Sequence, residues 1–501
     1  MARRVVFGAL VGALMVVSTG CSEECVDSAD CRNKGDPGAG REWVCVSNKC
    51  EGRDTTPPSG GDGGTTPTDG GTTPTDGGTQ TDAGTMTVVE GGACTSSDNC
   101  MAGLRCETSG NASTCQPLHL AMTRALTGGT TEAVVVRYKT PGSEPATGTT
   151  SPTKLSESTA QSRYPRWNKD GTAVAFLEEA TADAPVLVSR NFPLAAGQQT
   201  TLVTGTEVGT VDFRYMEWEP SNNIAWTVTT KAGNSYTATG ISYVPGTGGA
   251  VQSATTSGVF PSWAADGSSF AFSSGGLGLR TKMLGAATDS AVTGASATSE
   301  QPLHNKANGV LLYLDAAGKT EQIGTDATPL TELFSIRPSS AAEPSPTPVA
   351  IAPASDEAVA GGNLRSFIAN HTWAPGGTHV AYVRTYYLKP TAGPAVLCSG
   401  GANCGGQQGN VIYVRRIGTN GAPEEGSVEM LLASEATLPS FSPDGHFIAY
   451  LSGSQLRVQR IDPAATTEAS LKVGSAIPHT WTGSTIPSNR ADDHRPRWQP
   501  R

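Results

Sequence analysis

The decapeptide FSPDGHFIAY at residues 441–450 sets two aromatics, Phe441 and Tyr450, nine positions apart around an Asp444-Gly445 pair. An Asp-Gly pair accepts the positive φ of a tight turn, and the apolar alternation after it has the period of a strand, so the segment reads as a β-hairpin. The pattern recurs. YPRWNKDGTAVAF, FPSWAADGSSFAF and HTWAPGGTHVAY place Trp167, Trp263 and Trp373 nine residues before Phe176, Phe272 and Tyr382, with Asp170 and Asp266 in the first two turns. Two looser copies set Trp218 before Trp226 and His304 before Tyr313, and a half copy, HRPRWQPR, brings Trp498. Successive first aromatics lie 41 to 69 residues apart, which fits blades of roughly 40 to 50 residues with insertions. Apolar runs at 184–188, 241–244 and 411–414 supply further strands, and no amphipathic helical pattern lies between them. The expected fold is all-β: a propeller over 118–501, in which Trp167, Asp170, Trp218, Trp263, Asp266, Trp373, Phe441, Asp444 and Trp498 are structural residues of the repeat. A β-sandwich with repeated turns is the competing architecture, and seven recurrences at one spacing weigh against it.

The half copy has an entry strand and nothing to finish a blade. The β-prone stretch 118–139, containing AVVVRYK, lacks an entry motif. The two together make a composite blade and a seven-bladed ring, or the half copy only adds a strand to a six-bladed one.

The whole motif F-S-P-D-G-x-x-I-A-Y resembles the WD40-like repeat of TolB and related propellers, and the repeats span about three quarters of the chain. The resemblance implies a TolB-like propeller of six or seven blades. TolB carries an α/β domain before its propeller and works in the periplasm with the Tol and Pal proteins. Here cysteine-rich segments and a linker precede the repeats, so the resemblance reaches the propeller and not the Tol–Pal role.

At the N-terminus, Arg3 and Arg4 precede an apolar run at residues 5–17 that ends in small residues before Cys21. That order is a signal peptide's, over 1–20, and thirteen residues fall short of the roughly 20 a membrane span needs. The small residues resemble the lipobox of bacterial lipoproteins, with Ser18 where that motif carries Leu, which implies lipidation of Cys21. The competing reading is an ordinary secretory signal with Cys21 in a disulfide. Ser22 rather than Asp after the lipidated cysteine points to the outer membrane. Eleven cysteines less Cys21 leave ten in even groups: Cys25, Cys31, Cys45 and Cys50; Cys94, Cys100, Cys106 and Cys115; Cys398 and Cys404. Local disulfides in an oxidising compartment are expected, and for each group of four the pairing is open. Two cysteine-rich modules, 21–51 and 89–117, thus flank a Thr/Pro/Gly/Asp-rich linker, 52–88, whose TTPTDGG repeats cannot bury a core and read as disordered. Both modules resemble the short cysteine-rich modules near the N-terminus of bacterial surface lipoproteins.

No G-x-S-x-G elbow, H-E-x-x-H pair or D-x-D-x-D-G loop occurs, so no catalytic residue, metal or cofactor is assigned. His304, His371, His379 and His446 fall at motif or turn positions, and Asp492-Asp493-His494 leads into the closing strand. A net charge of −10 without basic clusters disfavours nucleic acid. Two insertions, 337–362 and 388–410, are the candidate recognition loops. The expected function is a non-enzymatic envelope lipoprotein, tethered to the membrane by its lipid, whose propeller binds a protein or an envelope polymer. The alternatives are a hydrolase or lyase acting on saccharide or peptide in the central funnel, and a purely structural envelope protein.

Overall fold

The computed structural model describes residues 41–46, 49–54 and 88–500, apart from short interior stretches of which 139–151 is the longest. The signal segment with Cys21, residues 55–87 of the linker, Cys25, Cys31, Asp492 and Asp493 lie outside the described residues, whereas 52–54 at the start of the linker belong to a strand. Two compact units result, 1–81 with 140–146, and 82–139 with 147–501. In the first, Arg41–Val46 pairs antiparallel with Lys49–Asp54, setting Cys45 opposite Cys50.

In the second unit seven antiparallel sheets are the blades of a β-propeller, and two further hairpins, Leu104–Ser109 with Ala112–Pro117 and Thr320–Ile323 with Asp326–Pro329, stand beside them. Blades 1, 2 and 3 are four-stranded meanders whose inner strands are Gln161–Trp167, Asp212–Trp218 and Val259–Trp263. Blade 4 begins with Ser299–His304, blade 5 with Gly362–Trp373 and blade 6 with Ala436–Phe441. Each inner strand ends on the first aromatic of the sequence repeat, or on His304 in its place. Blade 7 is composite. Arg497–Trp498 and Ser484–Thr485 pair with His119–Leu126, which pairs onward with Thr131–Arg137. The chain therefore closes with seven blades, the inner strand of the last coming from sequence more than 360 residues after its neighbour, since Trp498 faces Leu120.

Local chemistry explains the hairpins. In the turn after the inner strand of five blades a glycine N–H returns to the residue following the aromatic or His304: Gly171 to the Asn168 carbonyl, Gly267 to Ala264, Gly309 to Asn305, Gly377 to Ala374 and Gly445 to Ser442. Gly171, Gly267 and Gly445 sit at φ of 65°, 67° and 76°, the left-handed region where a side chain is strained.

The core lies between blades. Leu177, Leu187 and Val203 of blade 1 pack with Met216, Ile224 and Trp226 of blade 2. At the closing seam Leu120, Val134 and Trp498 of blade 7 pack with Leu438, Ala449 and Val458 of blade 6. Sheets stacked face to face in a ring leave only short edges exposed.

Candidate functional site

The repeat aromatics hold neighbouring blades by a shared hydrogen bond. The Trp167 indole N–H donates to the carbonyl of Arg497 at 3.0 Å, Trp263 to Glu217 at 3.2 Å, Trp373 to Leu303 at 3.1 Å and Trp498 to Ser440 at 3.0 Å. Every acceptor is the residue just before the repeat aromatic of the preceding blade. His304 takes the same place with its imidazole, Nδ1 lying 2.8 Å from the Ser262 carbonyl, which fixes that nitrogen as the protonated one. Trp218 differs by bonding Asn222 Oδ1 at 2.9 Å, and Phe441 has no N–H to give.

Three residues before each aromatic the backbone turns over. Tyr164, Tyr215, Phe260, Gln301, Asn370 and Leu438 all have φ between 46° and 59°. Each lies in the register shift of its inner strand, as between Val259 and Ser262 in blade 3. Such bulges re-aim side chains and free a backbone N–H. At three seams a hydroxyl of the preceding blade takes that N–H: Thr123 that of Tyr164, Thr227 that of Phe260 and Ser273 that of Gln301.

The re-aimed strands line a central cavity of about 100 Å³, with Arg166, Tyr215, Glu217, Phe260, His371 and Arg495 in its wall. Tyr215 and Phe260 pack there with ring centroids 4.0 Å apart. The charged wall residues brace the ring: Arg166 Nε donates to the Met216 carbonyl at 2.7 Å, and Arg495 reaches across to the His371 carbonyl at 2.8 Å. Glu217 accepts the Trp263 backbone N–H at 2.8 Å.

The second insertion and the end of the first, from Asp356, belong to a separate extension of blades 4 and 5, whereas Val349–Ala352 of the first is the fourth strand of blade 4. Strands Gly362–Trp373 and His379–Pro390 run on past the blade and gain the partners Asp356–Val359 and Val396–Leu397. A hairpin of blade 4, Thr320–Ile323 with Asp326–Pro329, joins them through the bridge of Ile323 to Ala395. Glu321 receives Lys389 at 2.6 Å and Arg365 at 3.4 Å, and Arg365 also holds Asp356 at 2.9 Å. The Lys389 hydrogen bond holds the Glu321 carboxyl below its ordinary range. Beneath these pairs Ile323, Tyr387 and Ala395 form one small core, and Leu364 and Leu388 form another with the Cys398–Cys404 disulfide. The adjacent Val396 and Leu397 remain more than half exposed on the edge.

The residues singled out in the sequence therefore do not converge on one site. Asp170 offers its carbonyl to Arg105, Asp266 accepts the N–H and hydroxyl of Ser268, and Asp444 Oδ2 accepts the Gly103 N–H at 2.6 Å. Cys94 is bonded to Cys106, and Cys100 to Cys115. The sulfurs of Cys94, Cys100 and Cys115 lie within 4.8 Å of one another, and the two disulfides account for that cluster. Sequence reasoning passed over the positive-φ residues and the Trp-like role of His304. Both were signalled by position, three before and level with the aromatic.

Burial pushes the imidazoles of His119, His304, His379 and His479 down to about 4, so all four are neutral at pH 7.

Ring, latches and channel define the class: a seven-bladed β-propeller whose repeat aromatics fasten one blade to the next. No protein-family model matches the chain, and no curated protein matches it. Similar solved structures include TolB from Acinetobacter baumannii, with 11% identity over 77% of this chain and 67% of that one and a TM-score of 0.39. A putative 6-phosphogluconolactonase from Bacteroides fragilis NCTC 9343 is 12% identical over 72% of this chain and 95% of that one, with a TM-score of 0.43. An oligogalacturonate lyase in complex with manganese is 10% identical over 68% of this chain and 81% of that one, with a TM-score of 0.38. The class itself rests on the strand topology.

Proposed function

We propose that this chain is an exported cell-envelope lipoprotein, lipidated at Cys21, whose propeller binds a protein or an envelope polymer through the extension of blades 4 and 5. The observation that carries the reading is the construction of that extension. Ring closure does not call for it, yet ion pairs, two small cores and a disulfide order it, and it presents the apolar edge of Val396 and Leu397. Ordered loops on a rigid ring are where such scaffolds carry recognition. Against catalysis in the channel stands the use of its charged groups: Arg166, Arg495 and Glu217 each bond backbone atoms that brace the blades. Membrane attachment comes from the lipid, the outer membrane is the preferred address, and nucleic acid is disfavoured by the net charge of −10.

The test compares wild type with Leu397→Asp in cross-linked capture from the native envelope. The expected result is that specific partners are lost from Leu397→Asp while its melting temperature stays within a degree or two of wild type. Identical capture profiles would remove the extension as the binding surface. Replacing Cys21 with Ser is expected to release the protein from membranes, and a mature protein whose Cys21 is an unmodified thiol would refute the anchor.

A further inference from the structure

The second cysteine module is seated across the seam where the ring closes. Gly103 gives its N–H to Asp444 Oδ2 in the first turn of blade 6, at 2.6 Å. Arg105 reaches the Pro500 carbonyl at 2.7 Å and the Asp170 carbonyl, in the first turn of blade 1, at 3.2 Å. Gln499, directly after the closing strand, bonds the His119 ring at 2.9 Å and the Gly171 carbonyl at 2.8 Å. The contact is close, and both glycines stand at positive φ, 65° for Gly171 and 83° for Gly103, where a side chain is strained. A Cβ on Gly171 would stand 2.1 Å from Arg105 Nη1, and one on Gly103 would stand 3.0 Å from the Tyr138 ring. The module thus touches blades 6, 7 and 1 together.

Among the described residues the seam it covers is thinly paired: two segments of two residues each, Ser484–Thr485 and Arg497–Trp498, make the inner edge of blade 7. The module in turn depends on its disulfides. Its buried residues are Cys94, Cys100, Leu104 and Cys115, with Val88, Met101 and Cys106 packed against them, so half-cystines make up most of its core. A segment of roughly 30 residues is too short to bury a sufficient core of its own, and cross-links supply what that core lacks.

We propose that residues 88–117 are a redox-conditional clasp: the propeller is fastened shut only once Cys94–Cys106 and Cys100–Cys115 have formed. Each bond forms when a thiol pair passes two electrons and two protons to a disulfide oxidant, which leaves as a dithiol. A chain held reduced keeps the module unfolded and the seam without Gly103 and Arg105. The clasp acts on the ring whatever the propeller binds.

The test is hydrogen exchange on the full chain, comparing seam amides at 120–121 and 497–498 with those of blade 3 at 270–272. In Cys94→Ser/Cys106→Ser, seam exchange is expected to speed up by about tenfold or more over wild type while blade 3 changes far less. Cys398→Ser/Cys404→Ser, which leaves the module intact, is expected to keep wild-type seam exchange. Seam exchange equal to wild type in the first variant, or equal acceleration in both, overturns the clasp. If the first variant is not recovered folded, Arg105→Ala with its disulfides intact decides: faster seam exchange supports the proposal, and unchanged exchange overturns it.

Discussion

In four blades the tryptophan that ends the inner strand does two separable jobs, filling the space between blades and donating one hydrogen bond to the blade before. Trp263 is fully buried and donates to Glu217. Trp263→Phe keeps most of the packing and strands that carbonyl, an expected loss of about 1 to 3 kcal/mol by denaturant unfolding, against about 3 to 5 for Trp263→Ala. His304 makes the same contact with a group that titrates. Its imidazole is held down to about 4 by burial, helped by Lys306, whereas in the unfolded chain it takes a proton near 6.5. Protons therefore bind the unfolded chain first as pH falls. The stability is complete above about pH 6.5 and drains away toward pH 4, roughly 2 to 3 kcal/mol from this residue by pH 4.5. His119 at the closing seam, His379 and His479 act in the same direction. His304→Trp, the residue that stands there in five other blades, is expected to narrow the stability gap between pH 7 and pH 4.5, and an unchanged gap would place the acid sensitivity elsewhere.

At the level of the strand, the inner-strand bulge recurs in six blades and its freed N–H needs an acceptor. Thr227 supplies one to Phe260 from a fully buried position. Thr227→Val keeps the shape, removes that acceptor and leaves a buried donor, an expected cost of about 1 to 3 kcal/mol, while Thr227→Ser is expected to keep most of the stability. The hairpins were readable because Asp-Gly turns and aromatic spacing are local chemistry. Thr227 and Ser273 were not readable as partners of Phe260 and Gln301, since their bonds cross between blades and depend on a register that sequence alone does not supply. The same holds for the extension. Its two insertions drew notice as loops, but Glu321 meets Lys389 only through the fold, and nothing local to 320–329 marked that hairpin.

For the molecule as a whole, the composite blade followed from arithmetic on the repeats, half a copy at one end and an unpaired β-run at the other, and the pairing of Trp498 with Leu120 settles the count at seven. The docking of the cysteine module escaped that arithmetic, because Gly103 and Arg105 carry no motif and their partners Asp444 and Pro500 lie more than 300 residues away. Trp498→Ala removes both the latch to Ser440 and the packing against Tyr138 and Phe447, and is expected to cost about 3 to 5 kcal/mol in thermal or denaturant unfolding. The closing strand also sets a timetable. Strand His119–Leu126 is made more than 370 residues before its inner neighbour at 497–498. Blades 1 to 6 can assemble in order as the chain emerges, while the inner edge of blade 7 waits, open to pairing with any other strand, until residues 497 and 498 have been delivered. Synthesis that stalls before residue 497 would strand a nearly finished ring with an unpaired edge, a species prone to aggregate.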